Sequence, residues 1–339
     1  MVLEANPTGP SERAARLLHR AAAVGVVLTF AVIVASAYLR LAQVGLGCAD
    51  WPACYGASAM DKGGPAPLLF TIMRVTHRIA ASAVGFVVIV IAAVSLGRLR
   101  RELECSRLAG VLVALTLFLA VLGTATPGAQ RPAVTLGNLL GGMALLAAME
   151  WLRRVTQEAP CRARFGASPV LMIGIALLVL QITLGALVSG NYAGASCASF
   201  PGCSGAWEMS GTTVSLLDPW RLPAPLSGTA LIDDPARAGL QMLHRFSAAV
   251  VAIWWCGVAL IAIRRRTRAA ASASWAAAVL LTQCALGAAA VISGMPLWLV
   301  VAHNACAALM VLAVTATVFQ SRCSDDARVS AACQMVISK

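Results

Sequence analysis

The sequence predicts an all-α integral membrane protein in which eight transmembrane helices form two pseudo-symmetric four-helix bundles. Three observations predict it. Of 339 residues, 59% are hydrophobic and only 12% charged, with a mean hydropathy of +0.80, too little charge for a water-soluble chain of this size. Apolar runs long enough to cross a hydrocarbon core recur eight times along the chain. One pattern, a Cys-x5-Cys stretch followed by a His-Arg pair, occurs twice: Cys48, Cys54 and His77-Arg78, then Cys197, Cys203 and His244-Arg245.

The first span covers residues 18–40. It is longer than the apolar core of a signal peptide, and no small-residue cleavage site follows it in the usual position. A Gly-rich loop comes next, Gly45-Leu46-Gly47-Cys48-Ala49-Asp50-Trp51-Pro52-Ala53-Cys54. The second span, 70–97, carries Arg74, His77 and Arg78. The third, 108–127, ends in a glycine turn, and the fourth, 132–152, carries Asn138. A basic linker, 153–168, leads to the fifth span, 169–189, and to Gly190-Asn191-Tyr192-Ala193-Gly194. The second cysteine loop runs on to about residue 235, where Asp233-Asp234-Pro235 is a helix-start signal. The sixth span, 236–263, carries His244-Arg245; the seventh, 271–293, turns at Gly294 to Pro296; the eighth, 296–320, carries His303. Residues 18–152 and 169–320 therefore align four spans on four, flanked by segments 1–17 and 321–339.

The net charge of +12 raises the question of a nucleic-acid partner. Its distribution argues against one. Arg13, Arg16 and Arg20 flank the first span, and Arg98, Arg100, Arg101 and Arg107 share one short loop. Arg153, Arg154, Arg162 and Arg164 share another, and Arg264, Arg265, Arg266 and Arg268 a third. In an eight-span topology all of these, with Arg322, Arg328 and Lys339, fall on one side; the opposite loops hold Lys62, Arg131, Arg221 and Arg237. Positive charge stays inside, so both termini are expected in the cytoplasm and the cysteine loops outside a bacterial-type inner membrane. The basic loops also suit anionic lipid, though topology alone accounts for them.

Compartment then sorts the cysteines. Cys48, Cys54, Cys197 and Cys203 fall outside, where disulfides persist. A metal site built from these four is the competing reading, but no nearby histidine completes a zinc set. Cys256, Cys284 and Cys306 lie inside spans as small apolar fillers, and Cys105, Cys161, Cys323 and Cys333 on the basic side.

The chain has four histidines. His19 sits at the basic lip of the first span, where a hydrogen bond to a neighbouring helix suffices. His244 and His303 lie on spans running in the same direction, at matched depths on the order of 10–12 Å below the outer edge. Ionisable side chains at such depth usually mark function, and two imidazoles at one level favour bis-histidine ligation of a heme. His77 sits equally deep in the first half; the position matching His303 is Asn138. Arg78 and Arg245 either pair with propionates or snorkel to the interface.

On these residues, and above all on Arg40-Leu41 with the first cysteine loop, the chain resembles the heme A synthases, which oxidise a ring methyl of heme O to a formyl group. His77-Arg78, Gly190 to Gly194, His244-Arg245 and His303 support the resemblance, which covers about residues 15–320. It implies a heme b cofactor held by His244 and His303 in the C-terminal half. It implies substrate heme O bound in the N-terminal half, with oxygen as oxidant and heme A as product. It further implies a membrane electron donor, working contact with heme O synthase and terminal oxidase subunits, and disulfides Cys48–Cys54 and Cys197–Cys203 over the two pockets.

Two positions depart from the family. Asn138 replaces the second histidine of the N-terminal pair, and Arg74 replaces a glutamate one turn before His77. One reading is an active variant in which His77, Asn138 and Arg74 form the catalytic site. Another is a non-catalytic heme b protein acting as electron carrier or heme-handling assembly factor. A transporter is disfavoured, because the repeat is parallel and no span is broken at mid-membrane.

Overall fold

The structure is a computed structural model that describes residues 10–46, 48, 50, 53–56, 67–97, 103–125, 131–157, 168–203, 211–222 and 228–337. Gly47, Ala49, Trp51 and Pro52 of the first loop motif, Lys62, Pro127, Gly128 and Cys161 lie outside them, as do the side chains of Arg328 and Cys333.

Ten helices follow one another, and no strand occurs among the described residues. They are α1 (Pro10–Gln43), α2 (Leu68–Gly97), α3 (Leu103–Ala125), α4 (Pro132–Gln157), α5 (Pro169–Gly190), the short α6 (Gly211–Ser215) and α7 (Thr229–Ile232), α8 (Pro235–Arg264), α9 (Ala270–Ile292) and α10 (Leu297–Ile337). Eight of them contain a stretch long and apolar enough to cross a bilayer, and these match the eight runs expected from sequence. The sequence did not announce α6 and α7, which fold the second cysteine loop down onto the helix ends.

Helix signals behave as the sequence implies. Asp234 caps α8 by accepting from the backbone N–H of Ala236 at 2.9 Å and of Arg237 at 3.4 Å, with Pro235 in the first turn. At the turn between α9 and α10, Gly294 and Met295 both take positive φ, and Met295 N–H returns to the carbonyl of Ala290 at 2.7 Å.

Packing follows sequence order. α1 to α4 pack one on the next and α1 closes against α4; α5, α8, α9 and α10 also pack one on the next, but α5 and α10 barely touch. The two groups meet through α1, α4, α5 and α10. Small residues permit these close approaches, as expected where lipid removes the hydrophobic drive between helices. On α9 the buried Ala273, Ala276, Ala277 and Leu280 form one stripe. A side chain at Gly190 would meet Pro132 of α4 at 3.0 Å, and one at Gly174 would meet Trp254 at 2.9 Å. The outward faces are apolar instead: Ile72, Val75, Ile79, Phe86 and Ile89 of α2 are exposed, as a lipid-facing helix requires.

At the basic end the groups are pinned by Trp151 of α4 edge-on to Phe319 of α10, centroids 5.3 Å apart, with the Arg322 guanidinium 4.9 Å above the Trp151 ring. Glu150, buried there, is paired with Arg153 at 2.7 Å and Arg154 at 2.6 Å. His19 donates from Nδ1 to the Arg153 carbonyl at 3.0 Å, the helix-to-helix role expected of it.

Candidate functional site

His244 lies nine residues after the start of α8 and His77 nine after the start of α2; His303 lies six after the start of α10 and Asn138 six after the start of α4. At 1.5 Å per residue, these depths are roughly 9–14 Å below the helix starts. Within each group the paired positions occupy helices that do not approach one another closely: α8 and α10, and α2 and α4. His244 and His303 therefore stand across an interior that the other two helices border.

Each of these imidazoles is fixed by a neighbouring helix. His303 Nδ1 donates to the backbone carbonyl of Gln283 on α9 at 3.1 Å, which leaves Nε2 as the lone-pair nitrogen. His244 Nδ1 meets the side-chain amide of Gln181 on α5 at 3.1 Å. Gln181 also donates to the His244 carbonyl at 3.2 Å and accepts from Ser247. Against each ring lies a glycine. A Cβ at Gly185 would stand 3.1 Å from His244 Cε1, and one at Gly287 would stand 3.1 Å from His303 Cε1.

Sequence reasoning missed these four supporting residues, although a signal for them exists. Gln181-Ile182-Thr183-Leu184-Gly185-Ala186 recurs as Gln283-Cys284-Ala285-Leu286-Gly287-Ala288. The repeat places a glutamine one turn ahead of a glycine on each helix that supports an imidazole. The Gln283 side-chain oxygen is buried without a hydrogen-bond partner among the described residues.

The remaining predicted residues divide. Cys48–Cys54 and Cys197–Cys203 are both disulfide-bonded, which removes the competing reading of a four-cysteine metal site. Cys323, on the basic side by sequence, is also disulfide-bonded. Arg245 turns its guanidinium to the second cysteine loop: it donates to the carbonyls of Cys197 and Ser199 at 2.8 Å, Gly202 at 3.0 Å and Pro201 at 3.3 Å, and stacks 5.9 Å from the Phe200 ring centroid. The loop is thereby clamped over α8. Below it, an apolar cavity of about 130 Å³ is lined by Gly194, Ala195, Cys197, Ile232, Val291 and Met295. In the first group His77 is partly buried, while Arg74 and Arg78 are exposed on α2.

The two cysteine loops also meet. Tyr55 carbonyl accepts from Gly228 N–H at 2.8 Å, and Tyr55 and Tyr192 pack edge to face at 6.3 Å. Burial raises the pKa of both phenols, reinforced at Tyr55 by its neighbour Tyr192. Gly190 to Gly194 does structural work here: buried Asn191 donates to the carbonyls of Leu187 and Leu216 at 3.0 and 3.1 Å, and its own carbonyl takes Arg237 Nε at 2.8 Å.

Comparison with known proteins bears on this arrangement. A family model described as cytochrome oxidase assembly protein (COX15-CtaA) matches residues 69–315. A heme A synthase of Shewanella oneidensis is 29% identical over 309 residues, covering 85% of this chain and 92% of that protein. A heme A synthase of Rhizorhabdus wittichii is 26% identical, covering 93% and 96%, and one from Rhodopseudomonas palustris strain BisA53 is 33% identical over 52% and 46%. An eight-span helical bundle, paired interior histidines and disulfide-closed loops thus coincide with a match over most of the chain, and the protein belongs to the COX15-CtaA family of cytochrome oxidase assembly proteins, the heme A synthases among them.

Proposed function

We propose that this protein is a heme A synthase-like membrane oxidoreductase that oxidises a ring methyl of heme O to the formyl of heme A for terminal oxidase assembly. The observation that carries the reading is the pair His244 and His303, set at corresponding depths on non-adjacent helices, each with Nδ1 held by a glutamine of the repeated motif. This donor set fits a heme. Two neutral imidazoles are ordinary axial ligands, glycine faces each ring, and a buried polar atom beside the site lacks a protein partner.

In this reading residues 169–320 hold heme b through His244 and His303, and heme b when bound supplies a one-electron couple within the membrane. Gln181 and Gln283 orient the two rings. Arg245 and the Cys197–Cys203 loop cover that site and exclude water from it. Residues 18–152 receive substrate heme O at His77, beneath the Cys48–Cys54 loop. Asn138, opposite His77, is a hydrogen-bonding group rather than a ligand, because an amide is a poor donor to iron. Arg74 and Arg78 serve the acidic edge of the substrate near the surface. The two groups form the pseudo-symmetric halves implied by the duplicated sequence. The termini and basic loops face the cytoplasm, and the disulfides face outward from the inner membrane. Electrons come from a membrane donor, and the product passes to terminal oxidase subunits.

Co-expression with a heme O synthase, followed by pigment extraction and chromatography, tests the proposal. A heme A peak that disappears in His77→Ala is expected. Heme b alone, unaffected by that substitution, would replace the enzyme with a heme-carrying assembly factor.

A further inference from the structure

Arg40 belongs to the sequence motif that precedes the first cysteine loop. It lies on α1 three residues before the end of that helix, in the group that does not contain His244 and His303. Its guanidinium nevertheless crosses into the other group: Nη1 donates to Ser189 Oγ of α5, and Nη2 to Asn304 Oδ1 of α10 at 3.4 Å. Ser189 and Arg40 are counterparts in the duplicated sequence, each eight residues before the first cysteine of its loop.

Two further facts define the place. α5 and α10 are the one pair of consecutive neighbours around the second group that barely touch, whereas their counterparts α1 and α4 pack closely. The seam between α5 and α10 faces the first group: α4 packs on both helices, α1 packs on α10, and the Arg40 side chain reaches from α1 to both sides of the seam. Asn304 follows His303 directly on α10. Second, Arg40 is not among the ion pairs of the described residues, and both its acceptors are neutral. A guanidinium carries five N–H donors and a permanent charge. Placing that charge within the apolar span without a carboxylate is costly, and an anionic ligand group at the seam relieves the cost.

We infer that Arg40 is the anion subsite of the His244–His303 interior, placed to receive a carboxylate of a ligand held between α5 and α10 by a fork supplied from the opposite half of the molecule. Resting on the heme reading, that carboxylate is a propionate. The α1–α10 contact thereby acquires a function: the N-terminal half completes the C-terminal half's binding site.

Full-length protein expressed in a heme-deficient host and purified in detergent is titrated with iron protoporphyrin IX and, separately, with its dimethyl ester, which lacks the carboxylates. The Soret band reports binding. Wild-type protein is expected to favour the free acid by roughly 10–100-fold, the range of a charge-assisted hydrogen-bonded contact. Arg40→Gln is expected to bring the preference close to one by weakening only the free acid, while Arg40→Lys retains part of it. Equal weakening of both porphyrins in Arg40→Gln, or an unchanged preference, overturns the subsite and leaves the heme site standing. Absence of a Soret band with either porphyrin in wild-type protein overturns the heme reading, and the subsite with it.

Discussion

His303 donates its Nδ1 proton to the backbone carbonyl of Gln283 across 3.1 Å. A main-chain acceptor cannot turn, so this ring has a single tautomer available and its Nε2 is permanently a donor to metal. His244 is held differently. Its Nδ1 faces the amide of Gln181, and a side-chain amide offers either a donor or an acceptor after a half-turn. One ligand is preset by the fold and the other is adjustable.

That asymmetry predicts the effect of Gln181→Leu. An imidazole bound through Nε2 carries its proton on Nδ1, and Gln181 supplies the acceptor by turning its amide. Leucine removes it while filling similar space. Heme affinity is expected to fall roughly 10–100-fold, the usual cost of losing a ligand's orienting partner, and the midpoint potential to rise because the ring becomes less electron-rich. Spectroelectrochemistry checks this; a potential and affinity equal to wild type would remove Gln181 from the site.

The glycines give a steric test. A Cβ at Gly287 lies 3.1 Å from His303 Cε1 and 3.4 Å from Nδ1, closer than most van der Waals contacts, and it would press on the same ring edge that donates to Gln283 one turn earlier on α9. Gly287→Val is expected to displace the ring and convert a low-spin bis-histidine spectrum to high spin in most of the sample. Gly110, where an added Cβ meets nothing within 4 Å, serves as control, and Gly110→Ala is expected to leave the spectrum unchanged.

Much of this was legible in the sequence because membrane helices announce themselves by composition and the duplication by spacing. All eight spans, the Asp234-Pro235 cap and the two disulfide pairs could be read directly. What escaped was whatever depends on which helix faces which. Gln181 and Gln283 look like isolated polar residues in apolar runs until α5 and α9 are packed against α8 and α10. Arg245 is the instructive case. Sequence offers it to a propionate or to the lipid interface, and only the fold of the second loop brings four carbonyls to its fork. Asn191 likewise reads as a motif residue, and Arg237 as one of the few basic residues of the outer loops, but both act in the scaffold.

The Arg245 clamp predicts that Arg245→Lys is not conservative. A lysine ammonium has three donors and no planar fork, so loop carbonyls now met by Arg245 are left to water or unpaired. Each buried acceptor left unmet costs roughly 1–3 kcal/mol. The variant is expected to unfold at lower temperature in detergent and to expose Cys197 and Cys203 to thiol labelling once mild reductant is added, while wild-type protein resists at the same concentration. Equal reduction rates would show that the loop holds without its clamp.

Asn138→His tests the correspondence between halves. Asn138 stands six residues into α4, as His303 stands six into α10, and His77 and His244 both stand nine into their helices. If the two groups build equivalent interiors, restoring the imidazole creates a second bis-histidine site. Low-spin heme per chain is then expected to rise up to about two-fold, with a second set of low-spin signals in the electron paramagnetic resonance spectrum. The gain must disappear in the double variant with His77→Ala and survive with His244→Ala. An Asn138→His protein with wild-type heme content would mean that α2 and α4 do not present their residues as α8 and α10 do, and the N-terminal site would have to be sought elsewhere than between His77 and Asn138.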